Sequence, residues 1–271
     1  MKVSSYLKFI IPPIIFFVMM KFFFESLGLS YLSLIALFLI SALSAFWVTK
    51  HRLLPIILTM LFTTSSVLFL LTLGKNNFQQ LYIVFSSVLF AITLIGLNRF
   101  FMQQENLKQQ AELEAKILDS GFNLNQTIVF ISIFLLSSGM YGIYLDFDLP
   151  VWSIMIAIFI SISFSTLYLT KINFLKSKAL ELHLDSFKNK TFSFYSFLFG
   201  FIALELIWVI SFLPVNHLTV GAVILSFYYS FWNILRNYLR NELSRKIVFS
   251  NLIFFGGAVG FIFITSKWDI I

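Results

Sequence analysis

The length, composition and charge of this chain are those of a membrane protein rather than a soluble one. Of its 271 residues, 59% are hydrophobic and 11% are charged, whereas soluble domains carry about 25% charged residues. The net charge of +7 comes from basic residues in connections between apolar segments, which indicates topology and not a nucleic-acid partner. The lack of cysteine excludes disulfides, thiolate metal sites and a cysteine nucleophile, and no motif indicates a cofactor.

Nine apolar segments are each long enough to cross a bilayer, which takes about 20 mostly apolar residues. They predict an all-α, polytopic membrane protein with one helical transmembrane domain over residues 1–271. The predicted spans are 9–26, 29–48, 53–73, 78–101, 127–145, 150–169, 192–213, 215–235 and 247–265.

The basic residues alternate between the two sides that these spans define. Sixteen of the nineteen Lys and Arg residues fall at the N-terminus or in every second connection, and the remaining connections are tight turns such as 213–216. The positive-inside rule therefore predicts a cytoplasmic N-terminus and an external C-terminus.

Two basic connections are long enough to contain structure of their own. The first, Gln103 to Leu118, places opposite charges at successive i,i+4 spacings, which predicts a helical extension of the fourth span that stops at residues 119–121 (Asp-Ser-Gly). The second, residues 171–190, is either a helical hairpin or an amphipathic helix on an anionic leaflet. The second interpretation predicts lipid contact through Lys171, Lys176, Lys178, Lys188 and Lys190.

Small residues at four-residue spacing indicate close helix packing in three spans. They are Ser153, Ala157, Ser161 and Ser165 in span six, Ser138 and Gly142 in span five, and Gly256 and Gly260 in span nine. Spacing alone leaves open whether each face packs within the chain or against a second copy in a homo-oligomer.

Glu205 is the clearest carboxylate inside a predicted span. Because a charge at the bilayer centre costs roughly 2.5 to 3.5 kcal/mol on insertion scales, such a residue is a functional hypothesis by default. It shares a predicted helix face with Trp208 and precedes a turn that carries Asn216 and His217. Glu205 is either a titrating or ligand-binding group, or it is hydrogen-bonded to a neighbouring span; a bond to His217 would require it to reach outward.

A polar stripe in the inner half of span eight is the second candidate site. Its members recur at helical spacing and are Ser226, Tyr229, Asn233, Arg236 and Arg240. They predict either a water-filled or headgroup-binding cleft, or an anchor at the membrane interface, where tyrosine and arginine are common.

The remaining titratable groups give little indication of catalysis or metal binding. Asp146 and Asp148 flank Phe147 in a predicted outer turn, a weak metal or base signal. The three histidines are far apart in the sequence, so no zinc-binding motif is formed.

The segment E-L-I-W-V-I-S-F-L-P-V-N-H at residues 205–217, with the tyrosines and basic end of span eight, resembles a group of uncharacterised bacterial multi-pass membrane proteins classed as a domain of unknown function. The likeness covers spans seven to nine, roughly a third of the chain. It implies no activity. It implies a bacterial cytoplasmic membrane and adds weight to Glu205, Trp208, Pro214 and Asn216.

Three functions agree with these patterns. The sparse chemistry favours a membrane scaffold or assembly role, or an unspecified membrane function, and it weighs against an enzyme without excluding one. A small transporter or lipid-handling protein that uses Glu205 is the second hypothesis. An envelope enzyme that acts on a lipid-linked substrate, through Glu205, His217 and Asp146 or Asp148, is the third.

Overall fold

The computed structural model describes residues 4–25, 30–50, 52–73, 77–103, 111–179 and 189–266. Within these ranges the secondary structure consists of nine α-helices. They are α1 (Ser4–Glu25), α2 (Ser30–Val48), α3 (Leu54–Thr72), α4 (Asn77–Gln103), α5 (Ala111–Phe147), α6 (Val151–Ala179), α7 (Asn189–Ile210), α8 (His217–Leu239) and α9 (Arg245–Thr265).

Each of these nine helices contains a stretch that is long and apolar enough to cross a membrane. The reason for helices is physical: in lipid every backbone N–H and C=O must find a partner inside the protein, and a helix supplies all of them locally. The prediction of an all-helical chain with nine helices long and apolar enough to cross a membrane is therefore confirmed for the described residues.

Serine and threonine are accommodated in the apolar helices by local hydrogen bonds. Their hydroxyls donate to a backbone carbonyl one turn earlier, as Ser41 does to Leu37 at 2.8 Å and Thr166 does to Ile162 at 2.8 Å. This pairing gives the hydroxyl an acceptor within its own helix.

The chain divides into two compact units, Met1–Val129 and Phe130–Ile271. The prediction of a single transmembrane domain over 1–271 stays a prediction beside this division. In the first unit, buried rings of α1, α3 and α4 form the centre: Phe16 stacks on Phe90 with centroids 4.6 Å apart, and Phe62 lies 6.3 Å from Phe90. In lipid there is no hydrophobic driving force for helices to associate, so packing contacts such as these hold the helices together.

Helix α8, which carries several of the predicted site residues, contacts several other helices of the second unit. It packs on α7 and α9 and contacts α6, where the Thr166 and Tyr228 hydroxyls lie 3.4 Å apart. It also crosses α5 at Gly221. A Cβ at Gly221 would lie 2.7 Å from Ser138 Oγ and 3.0 Å from the carbonyl oxygen of Phe134, so glycine allows this close approach.

The first long connection differs from its prediction. Helix α4 ends at Gln103, and α5 begins at Ala111 and runs through residues 119–121 without a break. Residues 104–110 lie outside the described ones, so the helical extension of the fourth span stays a prediction. The predicted stop at 119–121 is wrong, because these residues are inside α5. Gly121 serves close packing instead, because a Cβ there would lie 2.7 Å from the backbone nitrogen of Phe100.

The second long connection is partly described. Helix α6 continues to Ala179 and α7 begins at Asn189, so residues 171–179 extend α6. Residues 180–188 lie outside the described ones. The choice between a hairpin and a surface helix, and the anionic-lipid contact of the five lysines, stay predictions.

The three faces of small residues differ in burial. Ser138, Gly142 and Ser165 are buried, and a further close approach joins α6 and α7, where Gly200 lies against Phe159 and Ser163. Gly256 and Gly260 behave differently: both are exposed, and a Cβ at either would meet no atom within 4 Å. Within the described residues, the glycines of α9 therefore take no part in packing inside the chain.

Candidate functional site

The turn between α7 and α8 is built by its own hydrogen bonds. Helix α7 ends at Ile210 and the chain turns at Leu213 and Pro214, where the Val215 N–H donates to the Leu213 carbonyl at 2.8 Å. The side-chain oxygen of Asn216 accepts from the Thr219 N–H at 2.8 Å and caps α8. Asn216, a predicted functional residue, thus has a structural role as the N-cap.

The first residue of α8 is fixed against α5 by a hydrogen bond across the two helices. Ser138 Oγ donates to the backbone carbonyl of His217 at 2.9 Å. Since Gly221 lies against the same serine one turn later, the start of α8 is held close to the last turns of α5. The His217 side chain is half-buried beside this crossing.

A cavity of about 600 Å³, which we name the turn pocket, lies beside the α7–α8 turn. Both polar and apolar side chains line it, and none of the lining side chains is Asp, Glu, Lys or Arg. The lining residues are Tyr141, Tyr144, Leu145, Ser211, Phe212, Leu213, Pro214, Val215, Asn216 and His217.

The turn pocket contains residues that the sequence patterns did not indicate. Tyr141 and Tyr144 are one turn apart near the end of α5 and their ring centroids lie 5.4 Å apart; Ser211 belongs to the turn. The i,i+3 spacing of the tyrosines was the available signal, because aromatic residues with a polar tip are typical of a membrane interface.

The acidic residues near the pocket have separate roles. Asp146, exposed at the end of α5, interacts electrostatically with His217. Asp148 has a positive φ of 49° directly after the last residue of α5. This left-handed conformation ends a helix and is tolerated by Asp and Asn more readily than by most residues. The D-x-D pattern is therefore explained in part by helix termination.

Glu205 and Trp208 lie outside the turn pocket. Both side chains are exposed on one face of α7 together with Phe201, and Phe212 of the following turn is exposed as well. Among the described residues, Glu205 makes no hydrogen bond or ion pair. The hydrogen bond between Glu205 and His217, which would require Glu205 to reach outward, is absent because that face of α7 points away from the protein. Trp208 contacts Phe212 edge to face at 5.4 Å.

The C-terminal half of α8, with one residue of α9, carries a second group of polar contacts, which we name the amide cluster: Asn233, Arg236, Asn237 and Asn251. Asn233 Nδ2 donates to Asn251 Oδ1 at 2.9 Å, and Asn233 Oδ1 accepts from Arg236 Nη2 at 3.0 Å. Asn237 Nδ2 donates to the Asn233 carbonyl at 2.8 Å.

Asn251 was missed by sequence reasoning. It is a single polar residue in an apolar span, buried on α9, and its Nδ2 also donates to the Ile247 carbonyl at 2.8 Å. Only the packing of α9 on α8 shows that it meets Asn233. The predicted stripe of span eight is thus completed by a residue from the next span.

Tyr229 belongs to the same stripe, but its ring faces apolar neighbours. It lies edge to face with Phe130 at 5.6 Å and against Phe254 at 5.4 Å. The side chain is 42% exposed. Ser226 Oγ donates to the Ala222 carbonyl at 2.8 Å, so the hydroxyl proton of Ser226 is already used within α8.

The predicted site residues thus fall into separate places. His217 and Arg236 are nineteen residues apart on one helix, which corresponds to about 28 Å, close to the thickness of a hydrocarbon core. The turn pocket and the amide cluster therefore lie at opposite ends of α8 and cannot form one reaction centre.

Within the described part of the chain, no group of three or more His, Cys, Asp or Glu side chains is placed to hold a metal ion. Comparisons with protein-family models, curated proteins and solved structures find no match for this chain. The resemblance of residues 205–217 to bacterial multi-pass membrane proteins stays a prediction.

Proposed function

We propose that this chain is a multi-pass membrane protein with a lipid-handling role, and that its turn pocket binds the uncharged, hydroxyl-bearing headgroup of an amphiphile. The observation that carries the proposal is the lining of the pocket, which combines hydroxyl, imidazole and amide groups with apolar side chains. Ligand sites commonly combine a mostly apolar wall with a few placed polar groups.

The charge of the pocket favours an uncharged ligand. No lysine or arginine lines it, so it offers no fixed cation to a phosphate, and the nearby Asp146 would repel an anion. Tyr141 and Tyr144 supply hydroxyls that both donate and accept, and Ser211, whose proton is donated to the Trp208 carbonyl, can accept from a ligand. Paired hydroxyls of this kind suit a polyol or sugar headgroup.

The position of the pocket favours an amphiphile over a water-soluble ligand. The pocket lies where α5 and α7 end and α8 begins, which is headgroup depth if these helices cross the bilayer. Phe212 and Leu213 give it an apolar side on which an acyl chain could continue.

The orientation is part of the same proposal. With the N-terminus in the cytoplasm of a bacterial cell, the alternating basic connections lie inside and the turn pocket faces the external leaflet. The order of the nine described helices is compatible with this arrangement. Reporter fusions after Asp119 and Phe187 should then read cytoplasmic, and one at Asp269 external.

The pocket is tested by filling it. Purified full-length protein is incubated with equal amounts of a monoglucosyl diacylglycerol and dioleoylphosphatidylcholine, and retained lipid is measured by native mass spectrometry. Wild type should retain the glucolipid preferentially, and Ser211→Trp, which occupies the cavity, should abolish the preference. Ser250→Trp on exposed α9 is the matched control and should keep it. Equal retention by wild type and Ser211→Trp would refute the proposal.

A scaffold or assembly role is the second candidate, and one observation favours it. In the described structure α9 packs on α8, while Gly256, Gly257 and Gly260 stand exposed with no atom within 4 Å of a built Cβ. Two such faces from two copies could approach closely. Cross-linking of full-length protein in lipid should then yield dimers that Gly256→Leu removes; a monomer at every protein-to-lipid ratio would reject this role.

A further inference from the structure

The guanidinium of Arg236 is an intramembrane cation whose hydrogen-bonding capacity is mostly unused. It lies on α8, within the stretch that can cross a membrane, and is half-buried. Of its five N–H donors, one from Nη2 reaches Asn233 Oδ1, and its buried Nε has no hydrogen-bond partner among the described residues. Unmade bonds of a buried charge are costly, so such a group normally has an anion beside it.

No carboxylate in the described structure forms an ion pair with Arg236. Its recorded hydrogen bond is to the neutral amide of Asn233. Glu242 interacts with it electrostatically, but that side chain is exposed and is not in ion-pair contact with it. Within the described structure, the positive charge of Arg236 is therefore not paired with a carboxylate.

The asparagines of the amide cluster orient the Arg236 side chain. Asn233 accepts from Arg236 and donates to Asn251, and Asn251 in turn is tied to the Ile247 carbonyl. This chain of bonds joins α8 to α9 and fixes the Asn233 oxygen that the guanidinium contacts. A pre-oriented guanidinium loses less freedom when it binds an anion.

A second donor without an acceptor lies one turn away. The indole Nε1 of Trp232 is buried and has no partner among the described residues. Residues four apart share a helix face, so Trp232 and Arg236 offer N–H groups on the same side of α8.

The end of the α8–α9 hairpin is basic. Between Arg236 and Lys246 the sequence has four basic residues and one glutamate. Arg240 ends α8, and Arg245 and Lys246 are exposed at the start of α9. Of these cations, Arg240 interacts electrostatically with Arg236 and adds to the field that draws an anion toward it. Arg245 and Lys246 are exposed to solvent, which screens their charge.

From these observations we propose that Arg236, oriented by Asn233 and Asn251, binds an anionic phosphate group at the α8–α9 end of the second unit. The phosphate of an anionic lipid headgroup and free inorganic phosphate share this chemistry, and a bidentate contact through the two terminal nitrogens, Nη1 and Nη2, suits either. The site is independent of the turn pocket, which lies at the other end of α8 and has no cation.

A purely structural role for Arg236 has to be separated from this one. Arg236 occupies the last turn of α8, where a cation also compensates the helix dipole. That role predicts a loss of stability that does not depend on lipid, whereas a phosphate site predicts a ligand-dependent difference.

The test compares lipid retention by full-length wild type, Arg236→Gln and the control Arg245→Gln, which removes the same charge from an exposed position at the same end of the hairpin. Native mass spectrometry is run with dioleoylphosphatidylglycerol and with dioleoylphosphatidylcholine. Wild type and Arg245→Gln should retain phosphatidylglycerol preferentially, and Arg236→Gln should lose about tenfold in affinity, the usual effect of one charge-assisted contact.

Two further arms complete the test. Arg236→Lys keeps the charge without the planar fork, so it should bind several-fold more weakly than wild type, and it carries the comparison if Arg236→Gln does not fold. Millimolar inorganic phosphate that displaces the lipid, or that raises the melting temperature of wild type alone, would identify a free anion as ligand. Equal phosphatidylglycerol retention by wild type and Arg236→Gln, or an equal loss in Arg245→Gln, would overturn the proposal.

Discussion

Ser138 Oγ donates a 2.9 Å hydrogen bond to the backbone carbonyl of His217, seventy-nine residues further along the chain. This bond and the adjacent Gly221 fix how α5 and α8 cross, and with it the wall of the turn pocket that Tyr141 and His217 share. The helix crossing and the candidate site are thus one local arrangement, which makes the crossing testable by stability measurements.

Gly221→Ala should destabilise the protein, because the new Cβ would lie 2.7 Å from Ser138 Oγ and 3.0 Å from the Phe134 carbonyl. Ser138→Ala alone should cost about 1 kcal/mol through the lost hydrogen bond. Since Ser138 Oγ is the nearest obstacle, Gly221→Ala should cost less in the Ser138→Ala background than in wild type. Melting temperatures of the four proteins in detergent measure this coupling, and strict additivity would contradict it.

Gly121→Ala should be more damaging than a comparable change on α9. Its Cβ would meet backbone atoms of Phe100, at 2.7 Å from the nitrogen and 3.0 Å from Cα, and backbone cannot rotate away. Overpacking of this kind typically costs about 1 to 3 kcal/mol. Gly257→Ala, which enters open space, is the control and should not lower the melting temperature. Equal effects of the two substitutions would show that α4 and α5 are not this close.

Asn216→Ala should lower stability by about 1 kcal/mol, because it removes the acceptor for the Thr219 N–H at the start of α8. Asn216→Asp should retain the cap and most of the stability. If Asn216 instead acted through its amide N–H groups on a ligand, the Asp variant would lose glucolipid retention as fully as the Ala variant while keeping a normal melting temperature.

Glu205→Leu should leave the melting temperature unchanged within the range of about 0.5 kcal/mol that is usual for surface positions. The side chain is exposed on α7 and makes no hydrogen bond or ion pair with any described residue. Glu205→Gln should behave the same way. A clear loss of stability in the Leu variant alone would mean that the carboxylate has a partner and would restore its structural interpretation.

The number of spans and the position of the α7–α8 turn could be predicted from the sequence because both depend on local properties. A long apolar stretch has few alternatives to a membrane helix, and Leu213-Pro214 followed by Asn216 is a turn and an N-cap within six residues of Ile210. Neither needs information from elsewhere in the chain.

The direction in which a side chain points could not be predicted in the same way. Helix α7 is apolar on every face, so its pattern does not show that Glu205 faces outward. Glycine has the same ambiguity: at Gly121 it was interpreted as a helix stop, but it serves a close approach to Phe100. Asn251 is recognisable only after α9 is packed on α8. Each case depends on a neighbour that is distant in sequence.

The short turn between α7 and α8 also bears on how the protein is made. Its backbone and side-chain bonds join residues within three positions of each other: Ser211 Oγ to the Trp208 carbonyl at 2.7 Å, the Leu213 N–H to the Ile210 carbonyl at 2.9 Å, and Asn216 to Thr219. A turn whose polar groups are hydrogen-bonded within the turn can pass through an apolar environment before the rest of the protein has been synthesised. Helices α7 and α8 should therefore leave the translocation machinery together as a hairpin, with α7 retained there until α8 has been synthesised.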